Sequence, residues 1–229
     1  MSDNKSDHAI WKLLGMLYKP HPWHGISPGE EVPQELQCFV EVVPSDTVKY
    51  EIDKVSGYLK LDRPQKYSSI CPALYGFVPQ TLCAERTAAL SSERTGRELE
   101  GDGDPLDICI LTDRPIGHGN ILVTCIPIGG LRMLDQNEAD DKIIAVLKND
   151  ATYGSMTEVD QVPAAIIDRL RHYFLTYKQH PDSQSVACEI THVYGREEAH
   201  AVINRSVEDY KLRFDGIEEI LTAALGTRR

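Results

Sequence analysis

The sequence predicts an α+β fold that is mainly β: an OB-like closed barrel with flanking helices. Three observations predict it. Apolar, β-branched runs recur between residues 37 and 147, each short and bounded by Gly, Pro or Asp. The connections between them are long, which suits a closed barrel of antiparallel strands better than an open sheet. Past residue 160 the apolar spacing changes from a period of two to one of 3.6, so helices follow the strands. With 229 residues and 41% hydrophobic content the chain can bury one sizeable core, and it reads as a single domain over 1–229.

Residues 1–33 read as a helix and an arm. Ile10, Leu13, Leu14 and Leu17 fall at i, i+3, i+4 and i+7, an amphipathic helix over 9–18 that Pro20 and Pro22 stop. The stretch 19–33, rich in Pro, Gly and His, reads as an irregular arm wrapping the domain or a partner. Its His21-Pro22-Trp23-His24 is expected to serve packing or subunit contact rather than a metal. The barrel part, 37–178, opens with strands over 37–43, 48–53 and 58–62. In the second, Lys49, Glu51 and Asp53 point one way and Tyr50 and Ile52 the other. Residues 82–101, full of Ser, Arg, Glu and Thr, read as a surface insertion. Further strands are expected over 106–111, 120–126 and 142–147. A helix over 163–178 carries the stripe Ile166, Leu170, Tyr173, Phe174 and Tyr177. The C-terminal helical part, 179–229, carries another over 197–214 with Val202, Ile203, Val207 and Tyr210.

Composition excludes several classes. A formal charge of −11 opposes nonspecific nucleic-acid binding, which rests on Lys and Arg neutralising phosphates. No run of eighteen or more apolar residues occurs and the first residues are polar, so the sequence predicts a cytoplasmic protein with no membrane partner. The six cysteines have no CxxC spacing and read as small buried hydrophobes. The same acidity suits an anionic small substrate only where divalent cations stand between carboxylates and phosphates.

The densest signal is Asp102-Gly103-Asp104-Pro105-Leu106-Asp107, where Gly103 and Pro105 bend the chain so that three carboxylates can converge. Carboxylate oxygens are what magnesium selects. A solvated Asp-Gly turn is the bland alternative, and an EF-hand fails on spacing, with Asp107 where Gly is needed and Thr112 where Glu is needed. A second acidic group, Asp135, Glu138, Asp140 and Asp141, precedes another strand. Two carboxylates about 5 Å apart at an effective dielectric near 20 repel by roughly 3 kcal/mol, so convergence of both groups requires cations. Lys49, Arg63, Lys142 and Lys178, with Tyr75 and Tyr177, are candidate donors to phosphate oxygens.

The series Val48-Lys49-Tyr50-Glu51-Ile52-Asp53-Lys54, Asp62-Arg63-Pro64-Gln65, Cys71-Pro72 with Leu74-Tyr75-Gly76-Phe77, then the Asp102–Asp107 motif, Asp135 with Asp140 and Lys142, and His172-Tyr173-Phe174 with Tyr177-Lys178 resembles the family I soluble inorganic pyrophosphatases in order and spacing. The resemblance covers about residues 37–178. It implies a five-stranded barrel and hydrolysis of inorganic diphosphate to two phosphates, with water activated by several Mg²⁺ ions, Mn²⁺ or other divalents being alternatives. It implies metal ligands at Asp102, Asp107, Asp135 and Asp140, with Glu41 and Glu51 nearby, and Asp104 as the base. Diphosphate contacts are implied at Lys49, Arg63, Tyr75, Lys142, Tyr177 and Lys178. A homo-oligomer, dimer or hexamer, is expected. Four positions depart from the family's common pattern: Cys71 where Tyr is frequent, Leu74 where Asn is, Ile126 where Arg commonly precedes the proline, and Asn137 where Gly is frequent. The rival readings are an OB-type module holding an oligonucleotide, which calls for aromatic platforms and a basic groove, and an acidic calcium-binding structural protein.

Overall fold

The computed structural model describes residues 19–180, 182 and 188–214; the helix expected over 9–18 and the chain past 214 lie outside them. In chain order the elements are β1 (Leu36–Val42), β2 (Val48–Ile52), β3 (Leu59–Pro64), β4 (Leu74–Phe77), α1 (Glu85–Thr95), β5 (Glu100–Gly101), β6 (Asp107–Leu111), β7 (Ile121–Asp135), β8 (Glu138–Ala139), β9 (Lys142–Leu147), α2 (Ala164–Thr176), β10 (Cys188–Gly195) and α3 (Arg196–Phe214).

Five strands close into a ring. The order β1-β4-β6-β9-β7 returns to its start because β7 also pairs with β1. This is the OB-like barrel the sequence predicts, with one correction: β6 and β9 run parallel, so the ring is not wholly antiparallel. β2 and β3 form a separate two-stranded sheet beside it.

Strand alternation sorts the barrel wall into two apolar faces. Ile108, Ile110, Ile143 and Ala145 pack with Ala199, Val202 and Ile203 of α3. Their alternates Cys109, Leu111, Ile144 and Val146 pack with Ile167, Leu170, Tyr173 and Phe174 of α2. Gly76 lets β4 approach β1, since a Cβ there would stand 1.9 Å from the Phe39 carbonyl oxygen. All six cysteines are buried and unbridged, as expected of small hydrophobes. Among the described residues, no helix is long and apolar enough to cross a membrane.

Several expectations need correction. β7 does not end near Ile126 but runs on to Asp135, passing Pro127 through a register shift between Pro127 and Gly129. A strand tolerates a proline where the ladder is already irregular. Residues 82–101 are not a plain surface insertion: they hold α1, whose Thr87, Ala88 and Ser91 are buried and whose first N–H groups are capped by the Asp209 carboxylate of α3. On α2 Ile167 is the more buried, in place of Ile166. On α3 Ser206 and Asp209 share the buried face with Val202 and Ile203. The arm wraps this domain: Trp23 is buried with Phe39, Ile52 and Phe77 and donates Nε1–H to the Thr81 carbonyl at 2.8 Å. Cys71 and Leu74, two of the departing positions, are fully buried packing residues.

Candidate active site

A polar cleft lies on the α2 face of the barrel and collects all thirteen residues that the resemblance implies as metal ligands, base or diphosphate contacts. Alternation explains much of this. Asp107 shares the face of Cys109 on β6, Lys142 that of Ile144 on β9, and the two are register partners. Tyr75, opposite Cys109 on β4, packs on the same face and donates its hydroxyl to Asp107 Oδ2 at 2.5 Å. Tyr177 and Lys178 follow directly on the end of α2. Glu41 takes the cleft face by the same alternation, since Cys38 and Val40 pack on the α3 face and Phe39, two residues before it, pairs with Phe77 of the cleft lining. The bulge of β1 against β4 between Val40 and Val42 re-aims Val42 instead, which leaves the face of Val40 and pairs with Tyr75.

The Asp102–Asp107 segment is held by its own backbone. Gly103 takes φ of 72°, a left-handed conformation that favours glycine, and its N–H donates to the Cys83 carbonyl at 2.9 Å. Asp102 Oδ1 accepts the N–H of Asp104 at 2.9 Å, and Leu106 N–H donates to Thr81 Oγ1 at 2.9 Å. The β2–β3 sheet contributes the opposite wall, where Lys49 and Arg63 are register partners and Lys49 Nζ lies 3.4 Å from Glu51 and 3.5 Å from Asp62.

Eight carboxylates and five cationic side chains line the cleft, an excess of negative charge. Lys142 pairs with both Asp107 and Asp140, Lys178 with Asp135, and Lys54 with Asp104. Burial works against the charge on Lys142, yet Asp107 and Asp140 outweigh it and hold its pKa well above the usual lysine value. Burial followed by the like charge of Asp140 pushes Asp102 up to about 8. Burial also lifts Glu41 to about 8, against the N–H of Ile52 that it accepts at 2.7 Å. Tyr177 is raised to about 12, again chiefly by burial.

Asp141, fourth member of the second acidic group, does not join the site. It faces the other side of the sheet, 2% exposed. Lys54 and Glu138 line the cleft although sequence reasoning assigned them no role there. Lys54 was legible as the end of the strand-and-turn series that begins at Lys49, and Glu138 as a member of the acidic group.

The family model for inorganic pyrophosphatase matches residues 38–211. The chain belongs to the inorganic pyrophosphatase family. The inorganic pyrophosphatase of Chlamydia muridarum is 48% identical over 195 residues, 83% of this chain and 93% of that protein. Soluble inorganic pyrophosphatase 2 of Chlamydomonas reinhardtii is 35% identical over 191 residues, 83% of this chain and 88% of that one. The crystal structure of inorganic pyrophosphatase from Thermus thermophilus superposes with a TM-score of 0.68 at 28% identity, over 81% of this chain and 97% of that one.

The pyrophosphatase family is metal-dependent. The cleft's donors fit that requirement: they are oxygens, in excess over the cations, and burial with like charges beside them makes Glu41, Asp102 and Asp140 hold protons more tightly. Among the described residues no three His, Cys, Asp or Glu side chains stand as a ready cage. Lysine ammoniums lie between the carboxylates instead, as the pairings of Lys142 and Lys178 show.

Proposed function

We propose that the chain hydrolyses inorganic diphosphate to two phosphates by in-line attack of water on phosphorus, with no covalent enzyme intermediate. What supports this reading above all is the meeting of eight carboxylates and five cations in one cleft of about 200 Å³, sized for a small anion and its counter-ions. Asp102, Asp107, Asp135 and Asp140 would hold Mg²⁺, with Glu41 and Glu51 beside them. When bound, the ions supply charge compensation and make the attacking water more acidic.

The remaining work falls to side chains. Asp104 has a carboxylate 42% exposed at the mouth of the cleft and takes the proton from the attacking water. Lys49 and Arg63 on one wall, with Lys142 and Lys178 on the other, neutralise the phosphoryl oxygens and the departing phosphate. The hydroxyls of Tyr75 and Tyr177 orient those oxygens; burial raises both phenol pKa values, so each stays a neutral donor at ordinary pH. The chain acts as one domain in a cytoplasmic homo-oligomer, with diphosphate rather than nucleic acid or membrane as its partner. Release of phosphate from diphosphate is the test. It should require Mg²⁺ and stop in EDTA, and equal turnover in metal-free buffer would sink the mechanism.

A further inference from the structure

Asp141 stands between two residues of the cleft, Asp140 and Lys142, and turns its own side chain to the opposite face of the sheet. There β7 presents Arg132, fully buried. The Arg132 guanidinium donates to Asp141 Oδ2 at 2.6 Å, to Ser91 of α1 and to Glu198 of α3. Tyr194 of β10 donates its hydroxyl to the same Asp141 oxygen at 3.2 Å, and the guanidinium lies 5.0 Å from the centre of that ring. Three elements behind the barrel wall thus converge, through Arg132, on one side chain whose two sequence neighbours work in front of it.

Net stability is a weak reason for this arrangement. A buried ion pair often contributes no more than apolar residues of the same volume, and here Arg132 Nε and Asp141 Oδ1 have no hydrogen-bond partner. Backbone pairing already sets the register: Asp140 N–H donates to the Met133 carbonyl at 3.0 Å and Lys142 pairs with Leu131, one residue on either side of Arg132. What a planar guanidinium adds is direction, because its donors lie in a fixed fork. We propose that Arg132, acting through Asp141, is a positioning residue: it fixes the rotation of the 140–142 segment and so aims Asp140 and Lys142 into the cleft. The proposal rests on the roles given above to those two residues.

The test uses the full chain and reads Mg²⁺ binding by titration calorimetry, thermal unfolding in EDTA, and the split between kcat and KM. Asp141→Asn keeps the shape and leaves Arg132 paired with Glu198, so it should fold. The double variant Arg132→Met with Asp141→Leu removes the pair altogether and should unfold close to the parent. Both should bind Mg²⁺ about tenfold or more weakly, the range for residues that orient a metal ligand, and lose kcat more than they raise KM for diphosphate. A double variant with the parent's stability, Mg²⁺ affinity and turnover would make the pair a packing device and overturn the proposal. So would a folded Asp141→Asn protein with the parent's Mg²⁺ affinity. Asp140→Asn is the control: if it alone leaves Mg²⁺ affinity unchanged, the ligand assignment fails rather than the positioning.

Discussion

Two ionic clusters stand back to back on the same strands, and they solve opposite problems. In front, Asp102, Asp107, Asp135 and Asp140 share too few cations, and burial, with the like charges of Asp140 on Asp102 and of Asp107 on Glu41 added to it, pushes the Asp102 and Glu41 carboxyls up to about 8. Behind, Arg132 meets Asp141 and Glu198 with side chains 0%, 1% and 22% exposed, a compact set in which each carboxylate touches the guanidinium directly. Burial lifts Asp141 as well, to about 7, but the Arg132 guanidinium opposes it, and the rear cluster needs no ion from outside the chain. The front cluster is charge-balanced only with a ligand of positive sign, and that imbalance distinguishes a working site from an architectural one.

The largest expected effect lies in the front cluster. Asp104→Asn should lower turnover about a hundredfold or more, in the range for positioned general bases, while Mg²⁺ still raises the melting temperature as in the parent. Steady-state kinetics at saturating Mg²⁺ checks it, and near-normal turnover would assign the proton to another group.

A smaller effect separates two aspartates of the same motif. Asp107 accepts from Tyr75 and Lys142, so Asp107→Asn leaves a buried ammonium with one carboxylate fewer. Asp102 mostly feels burial and Asp140. In EDTA at pH 8, Asp107→Asn should lower stability by about 1–3 kcal/mol, whereas Asp102→Asn should stay within about 0.5 kcal/mol of the parent. Urea unfolding of the two variants decides, and the reverse ranking would mean that repulsion is centred on Asp107.

The smallest effect is a slope. Glu41 and Asp102 are raised to about 8 when folded, from the usual carboxylate range when unfolded. The folded chain therefore holds protons more tightly, a stability complete below about pH 4 and lost as pH rises toward 8. The unfolding free energy in EDTA, read from urea unfolding, should fall across that window by at most about 1.4 kcal/mol per pH unit for each proton. Mg²⁺ should flatten or reverse the slope, since its ligands must be deprotonated. A flat profile in EDTA would mean that the front cluster carries less strain than its burial implies.

Much of this comparison is legible in the sequence. The strand over 142–147 has its expected bounds, and α2 and α3 start within a residue of theirs, because alternation and 3.6-residue spacing are local signals. Thirteen of the cleft residues were legible through motif spacing and the resemblance it carries, Glu41 through the resemblance alone. The rear cluster was not. Asp141 reads as one more acid in a run, and Arg132 lies beyond the proline and paired glycines that read as the end of a strand at Ile126. Only tertiary pairing carries β7 through them. α1 was hidden because its buried face is built from Thr87, Ala88 and Ser91, small side chains that give no apolar stripe.

β7 is fifteen residues long and is paired along its length by β1, β9, β8 and β10 in turn. A slip of one residue would break every one of those ladders and exchange the faces of Leu131, Arg132 and Met133. An insertion along it is tolerated only as a bulge, such as the extra residue that β7 already carries against β9 between Pro127 and Gly129. One continuous segment thus keeps the two faces of the wall in phase with each other.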